Sequence, residues 1–386
     1  MKFNKWTVGL AAIGVVSLAS AARADEKMSQ VQTALSNTTL SGYVDVAAVF
    51  NPGGFSAINP ITGLPTGAGY YANAHANGLK VNLVDLTLDK PLDESPWASG
   101  YHIDLNIGPD ATTAGGAIRQ AYIALRTPVA ESGIDWKVGI FDSPLGYESS
   151  SDPLNPNYTR SYGYTIEPTT LTGILGTFKA NDMFSISAGV ADTVYSFGYL
   201  GANGTAYNPS VLGAITLTAP DSAGFAKGAT FSVGAINSPN NFGGGATSLY
   251  AGVTVPTPAT ALKIGASFDW LEQHNSSLAG NAANDSIWDA ALYGNFQAND
   301  KLSFNLRGEY LNQSGVGAFS TFFLPISSSD VEEVTATVQY NLWANVLSRA
   351  EFRWDHAEHG NTFATSGGGM ATSDAFTFAL NLIYQF

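Results

Sequence analysis

The sequence contains no cysteine, and this absence excludes disulfide bonds and thiolate metal sites. Charged residues are also scarce, at 12% of the chain, and acidic residues outnumber basic ones by 31 to 17. The formal net charge of −14 repels the phosphates of nucleic acid, so no nucleic-acid partner is expected. Beyond the amino terminus, no apolar run approaches the ~20 residues of a spanning helix, which excludes an α-helical membrane protein. We expect neither a cofactor nor a resident metal.

The amino terminus carries the one long apolar run, and its flanks indicate an export signal. Two lysines precede residues 8–19, and Ala22-Arg-Ala24 follows. A basic start, a short apolar region and a small-residue cleavage site are typical of a secretory signal peptide. The sequence therefore predicts a signal peptide over residues 1–24. Residues 25–37 are then a short polar lead-in on the periplasmic side.

The last stretch of the chain, residues 375–386, alternates strictly between large apolar side chains and small or polar ones, with Ile383 as the exception. Successive side chains of a strand point to opposite faces, so one face of this strand consists of large apolar side chains. The large residues are Phe376, Phe378, Leu380, Leu382, Tyr384 and Phe386. If this face meets lipid, the sheet must close on itself, because unpaired amides find no partner in hydrocarbon.

The pattern predicts an all-β fold, a closed antiparallel transmembrane barrel over residues 38–386, located in the outer membrane and sealed by the last strand. The expected partners are outer-membrane lipid and, through the closing strand, the barrel-assembly machinery. A chain that is 45% hydrophobic without long apolar runs fits this fold, because each strand hides its apolar residues by alternation.

Sixteen alternating segments recur along the chain, although two neighbouring errors would make the count fourteen or eighteen. They cover residues 40–50, 80–89, 101–107, 119–126, 134–141, 171–179, 184–191, 211–218, 230–236, 248–255, 262–271, 287–296, 302–311, 331–341, 346–355 and 375–386. The second segment changes phase near Val81 to Val84, which a bulge or a one-residue misreading of the segment would explain. Short and long connections alternate, as expected of periplasmic turns and external loops.

A barrel of about sixteen strands is too wide for side chains to fill, so an aqueous channel for small hydrophilic solutes is the default function. The third long loop, residues 142–168, carries four prolines and four tyrosines. Proline fixes φ and tyrosine supplies rigid contact area, so we predict that this loop folds inward and narrows the channel. An ordinary external loop is the alternative.

Charged side chains mark the predicted channel. The loop offers Asp142, Glu148, Asp152, Arg160 and Glu167. The predicted wall offers Arg126, Lys137, Lys263, Arg307, Glu309, Arg349, Glu351 and Arg353, with further acids at Asp45, Asp104, Asp135, Asp269, Asp289, Glu333 and Asp355. Loop acids facing wall arginines would orient water and polar solutes. Local ion pairs between residues two apart are an equal alternative: Arg307 with Glu309, Arg349 with Glu351 and Arg353 with Asp355. The acid excess favours a mild preference for cations.

Several segments resemble one family. They are Gly42-Tyr-Val-Asp45, Gly100-Tyr-His-Ile-Asp-Leu105, Arg119-Gln-Ala-Tyr-Ile-Ala-Leu125, Lys137-Val-Gly-Ile-Phe141, Asn155-Pro-Asn-Tyr-Thr-Arg-Ser-Tyr-Gly-Tyr164 and Glu167-Pro-Thr-Thr170. They look like the putative β-barrel porin-2 (OmpL-like) family, most strongly from Leu40 to about Asp192. The resemblance implies an outer-membrane porin. It supplies neither a solute nor functional residues.

Three alternatives to a general pore remain open. A saccharide-specific channel would use Tyr147, Tyr158, Tyr162 and Tyr164 as a stacking track. An outer-membrane enzyme finds little support, because His356-Ala-Glu-His359 is the one compact histidine pair and no serine nucleophile elbow is present, so we expect no enzyme. An adhesin or structural barrel is the third. Association of three barrels into a homotrimer is a further expectation.

Overall fold

The computed structural model describes residues 37–52, 77–111, 118–130, 132–192, 209–241, 244–274, 285–314, 330–360, 363–364 and 370–386. The predicted signal peptide and almost all of the predicted lead-in lie outside these residues. Sixteen antiparallel strands, each paired with its neighbours, close into one barrel. The predicted fold class and the predicted strand count are therefore confirmed.

The sixteen barrel strands each contain one of the predicted alternating segments almost entirely. They are β1 Thr39–Phe50, β2 Gly78–Lys90, β3 Ser99–Ile107, β4 Ile118–Thr127, β5 Ile134–Asp142, β6 Thr170–Asn181, β7 Phe184–Ala191, β8 Ser210–Thr218, β9 Thr230–Asn241, β10 Gly244–Pro256, β11 Leu262–His274, β12 Asp285–Gln297, β13 Leu302–Ser314, β14 Asp330–Trp343, β15 Val346–Ala357 and β18 Asp374–Gln385. A small hairpin outside the barrel sheet joins β16 Phe363–Ala364 to β17 Met370–Thr372.

The first and last strands seal the barrel. Strand β18 pairs with β15 on one side and with β1 on the other. At the end of the chain, Gly42 and Phe386 exchange two backbone hydrogen bonds, with N···O distances of 3.1 and 3.0 Å. Because every strand of the barrel then has two neighbours, no edge amides are left to face the membrane.

The two faces of β18 differ in chemistry, as the alternation predicts. Phe378, Leu380, Leu382 and Tyr384 point outward and stay largely exposed, and Leu380 is 64% exposed. The side chains between them, such as Thr377 and Ile383, are fully buried inside. Outward apolar residues match an annulus of lipid, which is how such barrels lower their free energy in a membrane. In the part of the chain that the structure describes, no helix is long and apolar enough to cross a membrane.

Strand β2 contains a bulge, which is one of the two explanations for its change of phase. Leu83 pairs with Asp45 and Val81 pairs with Val46, so Asn82 is the extra residue between them. The bulge turns Asn82 inward, where its amide donates hydrogen bonds to Asp45 Oδ1 and Tyr158 Oη, both at 2.9 Å. The change of phase in the sequence therefore corresponds to the bulge, which turns one extra side chain toward the interior.

The connection between β5 and β6 packs inside the barrel. Its apolar side chains join two buried clusters. One contains Leu145 and Tyr147 with wall residues such as Leu212 and Tyr250. The other contains Tyr162 and Ile166 with Leu271, Leu311 and Val331. The connection thus packs against widely separated parts of the barrel wall.

Candidate channel constriction

The connection over residues 143–169 lies against the inward face of the barrel, and we call it the inner loop. Its ends meet in a hydrogen bond from Ser143 N to Thr169 O of 3.0 Å. Between them, Tyr162 is fully buried, Arg160 is 1% exposed and Tyr158 is 5% exposed. An external loop in solvent would leave such side chains exposed, so the chain from Asp142 onward folds back toward the wall.

The inner loop holds its own shape through local hydrogen bonds. Asn155 donates to the carbonyls of Ser149 and Ser151 at 2.8 and 2.9 Å and accepts from Ser149 N at 2.9 Å. A short 3₁₀ turn, Asp152–Leu154, contains Pro153 at its start. Helix α1, Tyr162–Ile166, is capped by Ser161, whose Oγ accepts from Tyr164 N at 2.9 Å.

Glu351 on β15 is one anchor of the inner loop. Its carboxylate accepts from Tyr158 N at 2.5 Å, from Thr159 N at 2.8 Å and from Thr159 Oγ1 at 2.7 Å. Thr337 on β14 donates to the same carboxylate at 2.7 Å. Glu351 thus satisfies loop amides that would otherwise be buried without partners.

Arg307 on β13 is the second anchor and is fully buried. Its guanidinium contacts Glu148 of the inner loop at 2.9 Å and the wall residues Glu309 and Glu333 at 2.7 and 3.3 Å. It also donates to Thr159 O at 2.8 Å. One guanidinium therefore joins the loop to two neighbouring strands, which suits its five donors in a fixed plane.

Two further arginines hold the loop by its carbonyl groups. Arg353 donates to Arg160 O at 2.6 Å and pairs with Asp355 at 2.7 Å. Arg349 donates to Asp152 O at 3.0 Å and to the neighbouring Asn155 O. Contacts of both anticipated kinds occur: Glu148 contacts a wall arginine, and Arg307 with Glu309 and Arg353 with Asp355 form local pairs. Arg349 and Glu351, the third anticipated pair, each bond the backbone of the inner loop.

The other loop acids have different neighbours from the ones anticipated. Asp142 pairs with Arg119 of β4 at 2.7 Å, and Asp152 pairs with Arg160 of its own loop at 2.7 Å. Glu167 accepts from Tyr147 N at 3.2 Å. Burial is the largest cause that raises the pKa of Glu167 to about 8, and the negative charge of Glu148 acts in the same direction.

Arg119 is a site residue that the sequence alone did not indicate. It binds Asp104 of β3 and Asp142 together. Counted by strict alternation from Arg126, it belongs on the outward face. Asp104 pairs with Gln120 and Leu105 pairs with Ile118, so Arg119 is the extra residue of a bulge and turns inward.

Three basic residues predicted for the wall lie away from the inner loop. Arg126 pairs with Asp135 at 2.6 Å between β4 and β5. Lys137 lies over the ring of Tyr122, 4.8 Å from its centroid. Lys263 on β11 is half-buried. The structure thus brings Arg307, Arg349 and Arg353 to the loop and leaves these three elsewhere on the barrel.

The loop tyrosines pack instead of forming an open track. Tyr147 stacks on Tyr293 with ring centroids 4.3 Å apart and bonds Thr254 through its hydroxyl at 2.9 Å. Tyr162 donates to Asp355 at 2.8 Å. Tyr164 lies beside the guanidinium of Arg160, 5.5 Å from the ring centroid. Tyr158, as described above, accepts from the β2 bulge.

The paired histidines do not converge on one point. His356 bonds Asp374 at 2.9 Å, and His359 lies 3.4 Å from Asp330. Asp330, Glu358 and His359 place one possible ligand atom each within 4.8 Å of one another, and the last two are exposed. Exposed acids of this kind are common without an ion, and this group lies outside the inner loop.

Comparison with solved structures finds outer-membrane channels. The outer-membrane channel DcaP of Acinetobacter baumannii aligns with a TM-score of 0.62 at 12% identity, covering 93% of this chain and all of that one. OmpT of Vibrio cholerae aligns at 0.57 with 14% identity, over 93% and 100%. An anion-selective porin from Comamonas acidovorans aligns at 0.58 with 11% identity, over 90% and 99%. At these identities the likeness shows the fold alone.

The family comparison covers almost the whole barrel. No curated protein matches the chain. The model of one family matches residues 37–386, which includes every described strand and the inner loop. Together with its porin-like neighbours, this match points to a channel of the outer membrane and away from an enzyme. The chain belongs to the putative β-barrel porin-2, OmpL-like, family of outer-membrane proteins.

Proposed function

We propose that this porin forms a water-filled channel for passive diffusion of small hydrophilic solutes and ions, and that the inner loop narrows it. The observation that carries the proposal is the contact of Arg307 with Glu148 on the loop and with Glu309 and Glu333 on the wall. A loop held at this point reduces the open cross-section of a barrel whose strand number leaves room for an aqueous passage.

The rigid seating of the loop also supports a fixed pore size. Its backbone groups bond to Glu351, Arg349 and Arg353, and its side chains enter two apolar clusters. A loop with this many buried contacts opens rarely, because local opening must break them together. The channel is therefore a passive pore of constant width.

We infer the ion preference of the channel from the net charge of the chain. The chain has an excess of acids, so we propose a mild preference for cations. The Comamonas acidovorans neighbour is described as anion-selective, and at 11% identity its selectivity does not transfer. Reversal potentials in a salt gradient across a planar bilayer test this proposal. Clear anion selectivity would remove it.

A saccharide-specific channel is not proposed, because the tyrosines that would form its track are engaged. Tyr147, Tyr158 and Tyr162 are at most 8% exposed and bond wall residues. Their burial favours loop packing over sugar stacking. Unchanged single-channel current in the presence of maltose-type sugars is the expected result, whereas concentration-dependent blockade would revive the saccharide channel.

Assembly and export are further parts of the proposal. One structural neighbour is a trimer form of OmpT, and we propose that three copies of this chain associate in the same way. We also propose removal of residues 1–24 during export and recognition of β18 by the barrel-assembly machinery. Mass measurement in detergent and amino-terminal sequencing of the purified protein test the first two. A monomeric mass or an intact amino terminus would contradict them.

The primary test is reconstitution of the purified protein in a planar bilayer. Discrete, ohmic conductance steps are expected, with steps grouped in threes if the trimer forms. A folded barrel that inserts and yields no steps would refute the proposed channel and favour an adhesin or structural role.

A further inference from the structure

A hydrogen bond between two carboxyl groups joins the inner loop to the barrel wall. Glu167, at the end of helix α1, bonds Asp269 of β11 from side chain to side chain. Ionised carboxylates only accept hydrogen bonds, so this bond needs one proton on the pair. The contact between Glu167 and the wall therefore exists in the protonated pair and is lost when both groups ionise.

A third carboxyl group, that of Asp289 on β12, makes ionisation of the pair costly. Asp269 and Asp289 are direct register partners on neighbouring strands, and both are buried. Among the residues that the structure describes, neither side-chain oxygen of Asp289 meets a hydrogen-bond donor. Like charges directly opposite each other in a sheet destabilise it, and burial strengthens their repulsion. A negative charge on Asp269 is therefore opposed from the neighbouring strand.

The other charged groups around the pair do not neutralise it. They are Glu148 of the inner loop, Arg307 and Glu309 of β13 and Glu333 of β14, and the nearest uncharged titratable group is Tyr250 of β10. Arg307 is the one cation of this set, and it already contacts all three of these glutamates. In the described part of the chain, no ion pair joins Asp269 or Asp289 to a basic side chain. Protonation is therefore what removes the repulsion.

Helix α1 lies directly over the two aspartates. A Cβ atom on Gly163 would lie 2.8 Å from Asp269 Oδ2 and 3.1 Å from Asp289 Oδ2. Glu167 is also buried, and burial is the largest cause that raises its pKa to about 8. Because the seated loop keeps water from these carboxyl groups, their ionised forms are solvated only when the loop moves away from the wall.

We propose that Glu167, Asp269 and Asp289 form a carboxyl latch that holds helix α1 against the wall in acid and releases it as the pH rises. Loss of the shared proton to solvent breaks the bond between Glu167 and Asp269 and leaves three carboxylates that repel one another. Helix α1 then moves off β11 and β12, while Glu351 and Arg349 keep the rest of the inner loop seated. The channel width is constant at a given pH and larger in alkaline solution. This effect on width rests on the proposed function, whereas the latch concerns only the seating of the loop.

Hydrogen–deuterium exchange of the purified protein tests the latch without conduction. After correction for the intrinsic pH dependence of exchange, opening of residues 161–169 in wild type should rise roughly tenfold per pH unit between about pH 5 and pH 8, because opening releases one proton. E167Q and D269N each put an amide donor in place of the proton and should show little change. The control E358Q removes an exposed carboxyl outside the inner loop and should behave as wild type. A flat wild-type profile, or a slope in E167Q equal to that of wild type, would overturn the inference.

Single-channel conductance at pH 5 and pH 9 tests the effect on channel width. The ratio of the steps at the two pH values should be larger in wild type and E358Q than in E167Q, which serves as the reference for all other titrating groups. Equal ratios in wild type and E167Q would overturn the widening of the channel. If no protein conducts, the proposed channel fails, and the exchange measurement still decides whether the latch exists.

Discussion

Replacement of Arg307 by methionine tests the seating of the inner loop most sharply. The guanidinium is fully buried among Glu148, Glu309 and Glu333, and R307M leaves all three carboxylates without it. Removing one partner of a buried ion pair lowers the free energy of unfolding by about 3–5 kcal/mol, because the remaining charge stays desolvated. Glu148 and Glu309 each keep a loop amide as donor, from Ser161 and Tyr162. We therefore expect a folded barrel with a loosened loop.

Two measurements check R307M against a matched control. Chemical unfolding in liposomes should show the loss of about 3–5 kcal/mol, and single-channel conductance should rise or become noisy as the loop leaves the wall. R126M is the control, because Arg126 is also a buried wall arginine but pairs with Asp135, which is a quarter exposed and away from the loop. Unchanged conductance in R307M, or an equal change in R126M, would show that Arg307 does not hold the inner loop in the channel.

Two other substitutions examine the lipid face and the loop chemistry. L380R puts a charge at an outward site in the middle of β18 and should cost about 2–4 kcal/mol, seen as poor insertion into liposomes; insertion equal to that of wild type would contradict a lipid-facing site. The pKa of Glu167 is raised from 4.5 to about 8, so the stability it contributes is complete below pH 4.5 and is lost as pH rises through about 8. The Tm of wild type should fall over this range and that of E167Q should fall less; parallel curves would contradict the assignment.

The wall of the barrel was predictable because alternation carries the information that the membrane demands. Lipid requires apolar side chains on the outer face of each strand, and the interior tolerates polar ones. The outward position of Leu380 and the inward position of Thr377 can therefore be inferred from the sequence. Even the irregularity at Asn82 was visible as a change of phase. The bulge at Arg119 was missed. A charged residue at a position that alternation assigns to the outer face can mean a bulge or an error in placing the strand, and the sequence does not distinguish the two.

The contacts of the inner loop were less predictable, for a physical reason. Composition indicated a loop with a fixed shape, but not the surface against which it packs. Tyr158 and Glu351 are 193 residues apart, and no periodicity links such partners. The same limit applies to the facing aspartates. The sequence placed Asp269 and Asp289 on the inward face, whereas only the strand register brings them opposite each other.

We propose that the inner loop lies in a conducting pore and sets its width, and a variant with a shortened loop distinguishes this role from mere packing. The loop ends are joined by the bond from Ser143 to Thr169, so a short Gly-Ser linker can replace residues 146–166 without straining β5 or β6. Single-channel conductance of this variant is the decisive measurement. Discrete conductance steps are expected in both proteins, and the steps of the variant should be larger. Equal steps, or no conductance from either folded barrel, would contradict it.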